Sequence, residues 1–136
     1  NYQVIFYLHS YVDLSKEIKE MFPDFAFVTW GKEINKYAIV YKMGGIFLDG
    51  VEPTRNFYKD LDPVKFNILE TKTSDGFVLS TAMFAAEKCF KGCKVICKEI
   101  KEGNKDTDII YKYWQKERDS FFVLPWNKKS VTYINS

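Results

Sequence analysis

The sequence holds a single histidine, His9, among its 136 residues, with only three cysteines and four prolines. One histidine excludes a two-histidine zinc site built by this chain alone, and it leaves a Ser-His-Asp triad a single candidate base. No G-x-S-x-G element accompanies that base, and Walker A and G-x-G-x-x-G loops are also missing, so "MGGIF" is neither of the standard phosphate cradles. No apolar run reaches the roughly 18 residues that span a bilayer. The opening "NYQVIFYLHS" lacks the basic start and small-residue cleavage site of a secretory leader. Charge of one sign is scarce too: 20 basic and 18 acidic residues leave +2, with no basic block, which gives no electrostatic case for duplex nucleic acid.

What is present suits a compact globular chain. Hydrophobic residues make up 46% and aromatics 18%, while 28% charged residues argues against both a membrane protein and a disordered one. A single domain over residues 1–136 is expected, of a length that buries roughly two thirds of the surface its unfolded chain exposes. Cys89, Cys93 and Cys97 recur every fourth residue. Their odd number suits a reducing, cytoplasmic compartment. The spacing places three sulfurs near one helical face, but without C-x-x-C elements the series reads as small buried hydrophobes in preference to a metal or iron–sulfur site.

The first 50 residues alternate between strand and helix signals. "YQVIFYL" (residues 2–8) and "FAFVTW" (25–30) have strand length and composition, and Asp13 or Ser15 caps a helical stretch that Pro23 ends. In "KEINKYAIVYKM" the apolar positions Ile34, Tyr37, Ala38 and Tyr41 keep helical spacing, and Gly44 is the expected stop. Gly45 leads into the strand "IFL". This alternation predicts an α/β fold with a mainly parallel central sheet, and in such sheets ligands sit beyond the carboxyl ends of the strands, where His9, Trp30 and Asp49 fall. Further on, short strands are expected around Phe66–Leu69 and Phe77–Leu79. A helix is expected over Thr81–Cys89, continued or repeated over Cys93–Lys101 after Gly92, and another over "DIIYKYWQKER". Strands in "FFVLPW" and "SVTYIN" close the chain.

The acids that end the third strand offer the sharpest chemistry. Asp49 and Glu52 in "DGVE" read either as a solvated turn or as two carboxylates for a divalent cation, which takes hard oxygen ligands together with water and substrate phosphate. His9 has a structural or ligand-edge role, and Trp30 is either core or a platform for a base or sugar.

Taken together, "EINKYAIVYKMGGIFLDGVEP" resembles the signature of the glycosyltransferases with a DXD sugar-binding region. That group includes yeast-type mannosyltransferases, capsular sugar transferases and, more distantly, the glucosylating clostridial toxins. Its pattern is an acid, two residues, an arginine, an aliphatic helix, Gly-Gly, an aliphatic-aromatic strand and Asp-x-Asp. Glu33 stands at the sugar-orienting acid and Lys36 at the arginine near sugar and phosphate. Gly44 and Gly45 match the paired glycines, Phe47 the strand aromatic and Asp49 the first acid. Val51 occupies the position of the second acid, and Glu52 follows one residue late. Lysine for arginine also loses the planar fork that grips an anion with two bonds.

The resemblance implies a nucleotide-diphospho-sugar (GT-A) fold and a retaining, metal-dependent hexosyl transfer from a UDP-hexose such as UDP-glucose to a glycan acceptor. Mn²⁺ or Mg²⁺ would be anchored by Asp49 and Glu52, and His9, Ser10 and Tyr11 would contact uracil or ribose. Two other readings stand beside this one: an inactive sugar-nucleotide or glycan-binding module, and a structural partner-binding α/β domain. No protein nucleophile can be named.

Overall fold

The computed structural model describes residues 32–54, 57–125, 127, 129 and 131–133. The strands expected at 2–8 and 25–30, the helix between them, and His9, Ser10, Tyr11 and Trp30 lie outside the described residues.

The first described element is helix α1, Lys32–Met43. Its Ile34, Tyr37, Ala38 and Val40 fall on one side at spacings of three and four and are buried. Gly44 ends it as expected, with φ +68° and its N–H donating to the Val40 carbonyl at 2.7 Å. A side chain here would be strained, and an added Cβ would lie 2.7 Å from the Lys88 backbone nitrogen. Strand β1, Gly45–Leu48, follows, then a turn at Asp49-Gly50 and strand β2, Val51–Pro53. After a 3₁₀ turn at Phe57–Asp60 come β3, Phe66–Thr73, and β4, Gly76–Ala86. Helices α2, Lys91–Lys101, and α3, Asp106–Lys116, precede β5, Phe121–Leu124, and β6, Val131–Tyr133.

The chain is thus α/β. Its four-stranded sheet has the order β1-β4-β3-β5, with β4 antiparallel to both β1 and β3, and β3 parallel to β5. The expectation of a mainly parallel sheet meets a mixed one among the described strands. Two of its three pairings are antiparallel because β4 returns directly from β3 through the tight turn at Ser74-Asp75. β1, β3 and β5 nevertheless point the same way, and β4 alone is reversed. A separate two-stranded sheet pairs β2 with β6 antiparallel.

Thr81–Cys89, expected as a helix, is strand as far as Ala86. Ala and Met favour helix locally, but the segment lies between β1 and β3, where Phe84 and Ala85 are paired on both sides and Met83 to Ala86 are buried in sequence. A centrally placed strand reads as a continuous apolar run, which periodicity alone cannot tell from a helix. The register slips between Ile68 and Leu69, and beside that slip the Ala82 N–H donates to Ser80 Oγ at 3.1 Å.

Strand alternation divides the core between two faces. Phe47, Phe66, Ile68, Phe84, Ala86, Phe121 and Val123 face the helices. On the other face Ile46, Met83, Ala85, Phe122 and Leu124 pack with Val51 and Val131 of the small sheet. Phe84 is the hub of the first face: Tyr37, Phe47 and Phe66 stack on it with ring centroids 4.8, 5.1 and 5.5 Å away.

Two sequence motifs settle differently from their spacing. Cys93 and Cys97 are buried on α2, as expected, and the Cys97 thiol points at the Ile34 carbonyl of α1 at 4.0 Å. Cys89 is not on that face: it precedes the helix, exposed, at φ +62°, with its N–H donating to the Tyr41 carbonyl. Gly92 does not interrupt a helix but lies inside α2, because an added Cβ would meet the Phe90 ring at 2.5 Å and the Tyr113 ring at 2.8 Å.

Candidate functional site

β1 delivers Asp49 to the end of the sheet. Its backbone N–H still pairs with the Ala82 carbonyl at 2.8 Å, so the residue is fixed by the sheet while its side chain is exposed. Gly50, at φ +69°, turns the chain, and no atom lies within 4 Å of where its Cβ would be. Two residues later Glu52 lies on β2, opposite Thr132 of β6. Val51, at the position of the missing second acid, is 4% exposed and packs in the core beneath the turn. The strand that follows the turn uses position 51 to bury an aliphatic side chain.

The upstream residues divide. Glu33 is exposed in the first turn of α1. Lys36, one turn later, is buried to 9% exposure, and its ammonium lies 5.3 Å from the centroids of both the Tyr37 and Phe47 rings. The fold thus brings Lys36 and Phe47 together. The rings offer the cation their electron-rich faces, a weak attraction that strengthens out of water.

Asp106, which no sequence pattern singled out, completes this cluster. Its Oδ2 lies 3.4 Å from Lys36 Nζ and accepts a hydrogen bond from the Tyr37 hydroxyl at 2.9 Å. Its Oδ1 accepts the Thr107 N–H at 2.8 Å. As the first residue of α3, the carboxylate is also favoured by the helix dipole. Burial, then the charge and hydrogen bond of Asp106, push the Tyr37 hydroxyl far above the ordinary phenol range, so it remains a donor. The available signal was an acid at a helix start; nothing local tied it to a lysine 70 residues earlier.

Carboxylates such as Asp49 and Glu52 in the sequence of the turn are of the ligand type that hard divalent cations take. An exposed Asp49 beside a glycine turn leaves room for a ligand to approach. Among the described residues, no three His, Cys, Asp or Glu side chains gather into a metal-holding group. No described helix is long and apolar enough to cross a membrane. Comparisons with protein-family models, curated proteins and solved structures return no match.

Proposed function

We propose that the chain is a glycosyltransferase that moves a hexosyl group from a nucleotide-sugar donor, UDP-glucose or another UDP-hexose, to a glycan acceptor with retention at the anomeric carbon. The observation that carries this reading is the exposed Asp49, fixed by β1 and followed by a glycine turn and Glu52. It is the altered DXD that the resemblance implies, at the carboxyl end of a strand. The α/β architecture, with β3 parallel to β5, is compatible with that reading, while the two antiparallel pairings of β4 depart from the mainly parallel sheet expected with it. The three free cysteines suit action in a reducing cytoplasm.

In this reading Asp49 and Glu52 would hold Mn²⁺ or Mg²⁺, and the ion would supply Lewis-acid neutralisation of the leaving diphosphate's charge. Glu33 orients sugar hydroxyls. Gly44 and Gly45, both with positive φ, let the chain turn without side chains beneath the nucleotide. Phe47 supports Lys36 from below, and Lys36 lends positive charge on the phosphate side. His9, Ser10, Tyr11 and Trp30 are proposed to frame the nucleoside.

One observation favours the second reading, an inactive sugar-nucleotide or glycan-binding module. Lys36 already has a carboxylate partner in Asp106, so an incoming diphosphate must compete for it.

Calorimetric titration of UDP-glucose, UDP-galactose, GDP-mannose and UDP, each with Mn²⁺ or chelator, tests both readings against wild type and Asp49→Ala. Metal-dependent binding of one donor, lost in the variant, supports the transferase. Chelator-independent binding without turnover supports the binding module, and silence with every nucleotide removes both.

A further inference from the structure

We propose that the outward face of α2 is a docking surface for an anionic lipid bilayer. Its sequence, "KGCKVICKEIK", places Lys91, Lys94, Lys98 and Lys101 at exposed positions, while Gly92, Cys93, Ile96 and Cys97 face the core. At about 100° per residue the four lysines fall within an arc of about 80°, along a row about 15 Å long. The linear sequence disguises this as scattered charge. The row alone carries twice the chain's net charge of +2, so the remainder of the molecule is net negative.

The first turn of α2 holds no acid, Phe90 at its N-cap makes no side-chain cap, and Lys91 and Lys94 lie where the helix dipole disfavours positive charge. The acids of the segment, Glu99 and Glu102, come only at its end, on the flank shared with Val95. Val95, 40% exposed beside the lysines, adds an aliphatic group that can enter the interfacial region as the ammonium groups meet headgroups.

The chemistry matches a lipid surface better than nucleic acid. Lysine is a compact point charge suited to a diffuse anionic plane, and the row contains neither an arginine for two-bond phosphate contacts nor an aromatic for base stacking. A row of about 15 Å also covers less than half of a duplex turn of about 34 Å. Each lysine near an anionic leaflet improves partitioning about five-fold, so the row acts through its sum and weakens with salt.

The test is sedimentation of the full chain with phosphatidylcholine vesicles, with and without about 30% phosphatidylserine, at about 50 and 200 mM salt. The variant Lys91→Gln/Lys98→Gln is set against Lys59→Gln/Lys129→Gln, which removes the same charge from exposed sites elsewhere. The expected result is salt-sensitive binding to the anionic vesicles alone, weakened about 25-fold in the first variant and less than about 3-fold in the second. Matching circular dichroism and melting curves show that both variants remain folded. Failure of the wild type to bind overturns the proposal, as does an equal loss in the two variants. Binding of a short DNA duplex that depends on Lys91 and Lys98, without vesicle binding, overturns it in favour of nucleic acid.

Discussion

The Tyr37 hydroxyl donates to Asp106 Oδ2 at 2.9 Å across 69 residues of sequence, and the same oxygen faces Lys36 Nζ at 3.4 Å. One carboxylate at the start of α3 thus anchors two neighbouring residues of α1. Removing it as Asp106→Ala strands a nearly buried ammonium and is expected to cost about 3 kcal/mol. Tyr37→Phe, which leaves the ion pair, should cost about 1.5 kcal/mol. Urea unfolding of a Lys36→Met and Asp106→Leu double-mutant cycle measures the pair itself. A coupling near zero would mean that the residues adjoin without supporting one another.

The glycines on either side of β1 should respond unequally to alanine. At Gly50 only the positive φ opposes substitution, at a cost of about 1 kcal/mol. Gly44 adds a Cβ approach of 2.7 Å to the Lys88 backbone nitrogen, so Gly44→Ala should exceed that loss by at least about 1 kcal/mol. Equal melting shifts would show that the Lys88 backbone gives way.

Cysteine chemistry should separate along the series. Exposed Cys89 is expected to react with a thiol reagent in the native state, and buried Cys93 and Cys97 only on unfolding. Burial pushes the Cys93 thiol from 9.0 up to about 12, and burial followed by Cys93 raises Cys97 well above its ordinary value. Above pH 9 the unfolded chain releases protons that the folded chain keeps, so stability is full below that point and falls as pH climbs toward 12. Each thiol should contribute up to about 1.4 kcal/mol per pH unit. Chemical denaturation at pH 8 to 10 should show a shallower decline in Cys93→Ala than in wild type.

Asp49 offers the opposite test. Its side chain is exposed while its backbone is held by Ala82, so Asp49→Asn should change stability by less than about 0.5 kcal/mol. Loss of donor binding in that variant, with an unchanged melting curve, would separate recognition from folding. A large destabilisation would make the acid part of the turn's architecture.

How far the sequence was readable depended on whether a signal was local. The helix through Ile34, Tyr37 and Ala38, and its stop at Gly44, followed from spacing and from one glycine that must take positive φ. Thr81–Ala86 was misread because its alanines and methionine state a helical preference, and the strands that override it come from elsewhere in the chain. The same limit applies at the site. Asp49 and its turn are visible in seven consecutive letters, whereas the meeting of Lys36 with Asp106 depends on how α1 and α3 pack. Gly92 looked like a break because its packing against Phe90 and Tyr113 cannot be inferred from neighbours alone.

The pairing of β2 with β6 has a consequence for synthesis. Residues 51–53 complete their small sheet only with residues 131–133, so the turn carrying Asp49 waits on a stretch translated about 80 codons later. At roughly 5–20 residues per second, that interval is on the order of several seconds. A nascent chain halted before Val131 would carry the acids of the turn without the strand that backs them.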